Sequence, residues 1–247
     1  VKTVLLINPN TSAGVTRLMA QVMQPMLGEG LALSTMTARF GASYIASETA
    51  YAIAAHAALD AWAAFVAQGG RCDAVLVGCF GDPGVAALRE TAGVPVAGLA
   101  ELALREAAAF GPHAIVTGGA AWKPMLERFA RAQGLDAALA AIEVVEKSGA
   151  ELMAQPDGGA AEILAALRAA ASPGVRALVI GGAALGGIAQ RVAGQLPVPV
   201  IDSVQAGARW AVSVLGTAGG AAVPALRDGG VTWTGIAPEL ARALSPS

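Results

Sequence analysis

One thiol in this sequence stands where chemistry is possible. The apolar run 74–77 leads straight into Gly78-Cys79-Phe80-Gly81-Asp82-Pro83-Gly84, and a helix is expected from near Val85. A thiol beside a helix N-terminus meets the positive end of the dipole and unpaired N–H groups, which lower its pKa. The thiolate can then serve as base or nucleophile. The competing reading of Cys79 is a small buried core residue, as most free cysteines are. Cys72, just before the strand, reads as structural.

Other strand ends carry polar or glycine-rich groups. Backbone N–H groups of Phe80 and Gly81, with those of Gly182 and Ala183, can hold an oxyanion or enolate. Glycine there permits close backbone approach, although turn chemistry alone accounts for these glycines equally well. In Asn8-Pro9-Asn10-Thr11-Ser12, Thr11 or Ser12 is expected to cap a helix. Asn10 can donate to a carboxylate or amide carbonyl. Thr117-Gly118-Gly119 offers a hydroxyl and amides, with Trp122 shortly after, and Tyr44 is placed to reach the same region. His56 and His113 have no partner at metal or triad spacing and read as structural, and Asp82 reads as a turn or cap residue. No paired Cys/His spacing marks a zinc site. Neither GxGxxG nor a P-loop lysine motif supports nucleotide binding.

The elements that must position these groups alternate regularly. Strands are read at 3–7, 32–37, 74–78, 94–97, 114–117, 142–145, 177–180 and 199–201. Alanine-rich helices fill the gaps, among them 14–27, 47–68, 101–110 and 203–215. Continuous apolar strands separated by helices predict parallel sheets covered on both faces.

The bulk composition agrees. The 247 residues suffice for one large α/β domain or two small ones. Aromatic residues make up only 4%, so the core must rest on Val, Leu, Ile and Ala. A net charge of −2 leaves no electrostatic footprint for nucleic acid. The longest uninterrupted apolar runs are strand-sized, far short of the about 20 residues a membrane span needs. The chain opens on a strand, so no signal peptide, membrane partner or export is expected, and the expected address is the cytoplasm.

The two halves also repeat. Strand 74–78 enters the Cys79 turn; strand 177–180 enters Gly181-Gly182-Ala183-Ala184-Leu185-Gly186-Gly187. A comparable stretch later each half reaches a valine-proline strand and a helix, at Val94-Pro95 and Val198-Pro199. Two facing copies would enclose a cleft at the carboxyl ends of their strands, where such folds bind ligands. That places 8–12, 79–81, 117–119 and 181–184 around one cavity, with Cys79 and Gly182 on opposite walls. A single doubly wound sheet is the plainer alternative.

The strings Ile7-Asn8-Pro9-Asn10-Thr11-Ser12, Gly78-Cys79-Phe80-Gly81-Asp82-Pro83-Gly84 and Thr117-Gly118-Gly119 resemble, in order and spacing, the signature segments of hydantoin and allantoin racemases. These belong to the aspartate/glutamate/hydantoin racemase superfamily, and the likeness covers nearly the whole chain. It implies two Rossmann-like α/β lobes with parallel four-stranded sheets related by a pseudo-twofold, residues 1–98 with 208–247 and residues 99–207. It implies a cofactor-independent, metal-free racemase or epimerase acting on a small molecule with an acidic carbon beside a carbonyl, and a homo-oligomer. The family's first cysteine carries over to Cys79. Its binding groups carry over to Phe80, Gly81, Thr117, Gly118 and Ala183, with Asn10 and Tyr44 beside them.

The family's second cysteine does not carry over, because Gly182 occupies its place. Three outcomes follow from that departure. Water can return the proton; Cys79 can act alone on an enolate formed by decarboxylation, as in the related arylmalonate decarboxylases; or the site can bind without turnover. The absence of a basic cluster around the expected cleft favours a neutral or monoanionic substrate, such as a 5-substituted hydantoin, over a dicarboxylic amino acid.

Overall fold

The computed structural model describes residues 1–216 and 231–244. Its first sheet is built from Lys2–Asn8 (β1), Leu31–Thr37 (β2), Ala74–Val77 (β3) and Val96–Gly98 (β4), all parallel in the order β2-β1-β3-β4. The second uses His113–Gly118 (β5), Leu139–Val145 (β6), Ala177–Gly181 (β7) and Val200–Asp202 (β8), parallel in the order β6-β5-β7-β8. Each half therefore repeats the same strand order. The expectation of parallel four-stranded sheets holds, and the single doubly wound sheet does not.

Alternate residues of each central strand serve different cores. Val4 and Leu6 of β1, Ile115 of β5 and Val179 of β7 join one interior cluster shared by both sheets. Into it Ala13–Leu27 (α1) sends Met19 and Met23, Leu99–Ala108 (α4) sends Leu99 and Leu104, and Ser203–Gly216 (α9) sends Val204 and Ala208. Trp122–Ala132 (α5) adds Met125 and Leu126. Leu5 and Ile7 point the other way, under Glu48–Ala67 (α2), Val85–Thr91 (α3) and Pro238–Leu244 (α10). Ala114, Val116, Leu178 and Ile180 face Ala160–Ala170 (α7) and Ile188–Arg191 (α8). Strands buried on both faces read as unbroken apolar runs for this reason.

Helix α9 lies against α1, α4 and β3, and α10 against α2. Gly207 allows the close approach of α9, since a Cβ there would lie 2.7 Å from Leu76 Cδ2 and 2.9 Å from Leu99 Cδ2. Part of the returning segment expected at 208–247, namely 217–230 and 245–247, lies outside the described residues.

Two sequence expectations need correction. By length and composition alone, α2 is long and apolar enough to cross a bilayer, which a search for uninterrupted apolar runs passed over. Here its Ala58, Ala61 and Trp62 pack on the first sheet, and its buried Asp60 takes a two-pronged ion pair from Arg39 (2.7 and 2.9 Å). The helix expected at 101–110 starts instead at Leu99 and ends at Ala108, because a carboxylate from a distant loop caps its first turn.

Candidate active site

Strand β3 is central in its sheet and delivers its last residues to the carboxyl edge. The Gly78 N–H donates to the Ile7 carbonyl (2.7 Å), and the chain turns so that the Cys79 N–H donates to Val77 (3.0 Å). A Cβ on Gly78 would sit 2.7 Å from the tip of the Met19 side chain, which would have to shift to admit it. Cys79 is 7% exposed, and that small surface belongs to a partly open pocket whose empty volume, solvent at its opening included, is about 480 Å³.

Both halves contribute to this pocket. Asn10, Tyr44, Cys79 and Phe80 line it from the first half, and Thr117, Gly118, Gly182 and Ala183 from the second. Of the residues carried over as catalytic or binding groups, Gly81 alone does not line it, and of the segments 8–12 and 117–119 only Asn10, Thr117 and Gly118 do. The sequence reading missed Val15, Ile45, Gly149 and Leu185, which add to the wall. A signal for Gly149 was present. Ser148-Gly149-Ala150-Glu151 is a capping-box pattern just after a strand, and Ser148 and Glu151 do cap Gly149–Met153 (α6) reciprocally (2.8 and 3.2 Å). Among the described residues, no lysine, arginine, aspartate or glutamate lines the pocket.

Asn10 is oriented by a buried network. Its Oδ1 accepts from Asn8 Nδ2 and from the Ser12 N–H, both at 2.9 Å. Asn8 is fixed in turn by donating to the Ser12 carbonyl and Thr16 Oγ1, each at 3.0 Å. With its oxygen committed, Asn10 has only Nδ2 left to offer, and among the described residues that amide has no partner. Ser12, rather than Thr11, caps α1 (3.4 Å to the Val15 N–H). The Thr117 hydroxyl, on a residue only 4% exposed, likewise has no partner among the described residues. Nor do the backbone N–H groups of Phe80 and Ala183.

Several expected binding groups are otherwise engaged. The Tyr44 hydroxyl donates to the Gly118 carbonyl (3.0 Å); burial raises its pKa, opposed by the Gly149 N–H and the Trp122 indole. The Gly81 carbonyl accepts from Tyr51 (2.7 Å), whose hydroxyl burial and the Asp82 charge push up to about 12. The Gly81 N–H lies near enough to the Asp82 carboxyl to oppose, weakly, the rise in its pKa that burial causes. Phe80 turns its ring onto the other half, where a Cβ on Gly181 would lie 2.4 Å from Phe80 Cε1. His113 is fully buried at the start of β5, its Nδ1 3.3 Å from the Gly111 carbonyl, and burial lowers its pKa.

The thiol itself departs from expectation. Burial, with the Asp82 charge second, pushes the Cys79 pKa well above the ordinary thiol value rather than below it. Helix α3 begins beyond Asp82 and Gly84, too far along the turn to offset the loss of water. Cys72 is also raised, to about 11, by burial and then by Asp73. On the opposite wall Gly182 has φ 147°, a backbone that favours glycine, and a Cβ there would sit 3.3 Å from Leu185 Cδ1.

Two parallel sheets of this order, meeting at a pocket with one thiol, describe a racemase-type site. The chain belongs to the Asp/Glu/hydantoin racemase family, whose model matches residues 4–211, and it is an isomerase of the racemase type. It is 30% identical over 218 residues to the hydantoin racemase of Paenarthrobacter aurescens, covering 86% of this chain and 90% of that protein. The allantoin racemase from Klebsiella pneumoniae superposes with a TM-score of 0.81 at 28% identity, over 87% of this chain and 88% of that one. An arylmalonate decarboxylase shares the fold at 18% identity, TM-score 0.62, over 98% of each chain.

Proposed function

We propose that this protein racemises a neutral or monoanionic cyclic carbon acid, a 5-substituted hydantoin or an allantoin-like ring, using Cys79 as base. The observation that carries the reading is the pocket's make-up, in which, among the described residues, a single thiol lies among apolar walls and uncharged donors with no charged side chain. A free amino acid brings an ammonium and a carboxylate that would each need a counter-charge on entering such a site. A hydantoin ring brings carbonyl oxygens, which the Asn10 amide, the Thr117 hydroxyl and the Phe80 and Ala183 N–H groups can meet.

In the forward step the Cys79 thiolate takes the α-proton, and the electron pair moves onto the adjacent carbonyl oxygen as an enolate. Fixed donors aimed at that oxygen stabilise the charge as it develops. Gly182 has no proton to give, so water returns one to the opposite face of the ring carbon. The hydroxide so formed removes the proton from the Cys79 thiol and restores the starting state. Burial keeps the thiolate fraction small at neutral pH, while making the thiolate a stronger base once formed. Activity accordingly rises with pH through the alkaline range.

The lone thiol also favours a second reading, in which an enolate is formed by loss of CO₂ from a malonate-type substrate and protonated by the Cys79 thiol. A panel separates the two. Single enantiomers of 5-benzylhydantoin, 5-isopropylhydantoin, allantoin and aspartate are followed by polarimetry, and phenylmalonate by CO₂ release. Decay of rotation with a hydantoin or allantoin, and none with aspartate, is the expected outcome. Turnover of aspartate alone, or of phenylmalonate alone, overturns it.

A further inference from the structure

Asp82 is the only non-glycine residue with positive φ among the described residues, at 57°. Its buried carboxylate takes the Ala100 N–H on Oδ1 and the Glu101 N–H on Oδ2, both at 2.8 Å. Its own N–H donates to the Cys79 carbonyl (3.2 Å). Gly98 makes room for it, since a Cβ there would lie 2.1 Å from Asp82 Cγ. A left-handed aspartate costs about 1 kcal/mol or more and persists only where its surroundings demand it; here the two backbone N–H donors on its carboxyl supply that demand.

The second half makes the same connection from the other end. Gly98 is the last residue of β4, and the last residue of β8 is Asp202. Asp202 accepts from the Val204 and Gln205 N–H groups at the start of α9 (2.9 and 3.2 Å) and from the Gly187 N–H of the preceding loop (2.6 Å). In the first half the aspartate is on the loop and Gly98 opens the helix. In the second Asp202 opens the helix and reaches back to the N–H of Gly187, the counterpart of Gly84, while Leu185 stands where Asp82 does.

We infer that Asp82 is the positioning residue for the thiol, clamping the 79–84 loop to the first turn of α4 and fixing where Cys79 meets the substrate carbon. The inference rests on the reading of Cys79 as the working base. The groups facing Asp82 are Glu101 of α4, itself paired with Arg89 of α3, Tyr51 of α2, and Cys79 on its own loop. Burial raises the Asp82 carboxyl to about 7, so above that pH its charge bears on the thiol.

Three variants test this against wild type, each checked for fold by circular dichroism. Asp82→Ala is expected to lower kcat by about 10²-fold with KM little changed, as for a displaced catalytic group. Asp82→Asn keeps one acceptor and recovers part of that loss. Having no charge, it also moves the rising limb of the pH–kcat profile to lower pH. The exchange variant, Asp82→Gly with Gly98→Asp, returns a carboxylate to the same space from the helix side, the side from which Asp202 acts, and exceeds Asp82→Gly alone in kcat. A folded Asp82→Ala with wild-type kcat, an unmoved limb in Asp82→Asn, or a folded exchange variant no better than Asp82→Gly overturns the inference.

The pH dependence of Cys79 alkylation, read by mass spectrometry apart from Cys72, is measured in the same proteins. It needs no substrate. If wild type turns over no hydantoin, a downward shift of the alkylation limb in Asp82→Asn still supports the placement of Asp82, and an unshifted limb overturns it.

Discussion

The Tyr44 hydroxyl, in the loop after β2, donates to the carbonyl of Gly118 at the end of β5, 3.0 Å away. The bond ties the first half of the chain to the second at the wall of the pocket, which both residues line. Phe80 lies the same way over Gly181, and Gly118 itself leaves no room for a side chain, a Cβ there falling 2.7 Å from the Lys147 carbonyl. The two halves are therefore held in register by groups that a sequence reading assigns to substrate.

Tyr44→Phe separates those roles. The ring stays in the wall while the Gly118 carbonyl loses its donor, which should cost about 1 kcal/mol of stability. If the hydroxyl tethers rather than binds, thermal unfolding shifts down and KM changes less than about threefold. A large rise in KM with unchanged stability would assign the hydroxyl to substrate instead.

Asn10→Asp is a near-isosteric test of the donor set. The retained Oδ1 still accepts from Asn8 and Ser12, so the network survives, while the pocket-facing amide becomes an acceptor. Removing one donor from an oxyanion site typically costs about 10²-fold in rate. Steady-state kinetics should show a loss of at least that size with little change in melting temperature. Near wild-type kcat/KM would remove Asn10 from the account.

Gly182 sits at φ 147°. Any side chain there is strained, and Gly182→Ala should lose about 1–3 kcal/mol in chemical denaturation. Gly182→Cys carries the same strain but puts a second thiol on the wall expected to face Cys79. Racemisation faster than wild type, in a less stable protein, is the expected pairing. A folded Gly182→Cys with no gain in rate would count against the opposition of the two positions.

The carboxyl of Asp82 is raised from 3.8 to about 7 in the folded chain, chiefly by burial. Folding thus favours its protonated form, so its contribution to stability is full below about pH 4 and declines as pH rises toward 7. The decline amounts to at most about 4 kcal/mol. Denaturant titrations from pH 4 to 8 should show wild type losing stability over that window relative to Asp82→Asn. Parallel curves would mean that the buried carboxyl titrates as it does in the unfolded chain.

Much of this architecture was legible in the sequence, for definite reasons. Runs such as Val4–Leu5–Leu6–Ile7 are apolar at every position because each strand faces two cores, which marks a parallel sheet. The halves repeat because Cys79 and Gly182 follow equivalent strands, and that alone brought Asn10, Cys79, Thr117 and Ala183 to one pocket. Long-range satisfaction was not legible. Nothing local announces that Asp82 caps a helix 18 residues on, or that Tyr44 spends its hydroxyl 74 residues away. The thiol pKa was misread for the same reason. A glycine-rich turn before a helix suggests a helpful dipole, but how fully the turn is buried depends on the opposite half of the chain.

The most direct test of the central claim is proton NMR of single-enantiomer 5-substituted hydantoins in D₂O, with wild type and Cys79→Ala side by side. Wild type should erase the α-proton signal faster than the spontaneous exchange, while Cys79→Ala should remain at background. Equal exchange in the two proteins, or none above background in wild type, would contradict the assignment of Cys79 as the base for this substrate class.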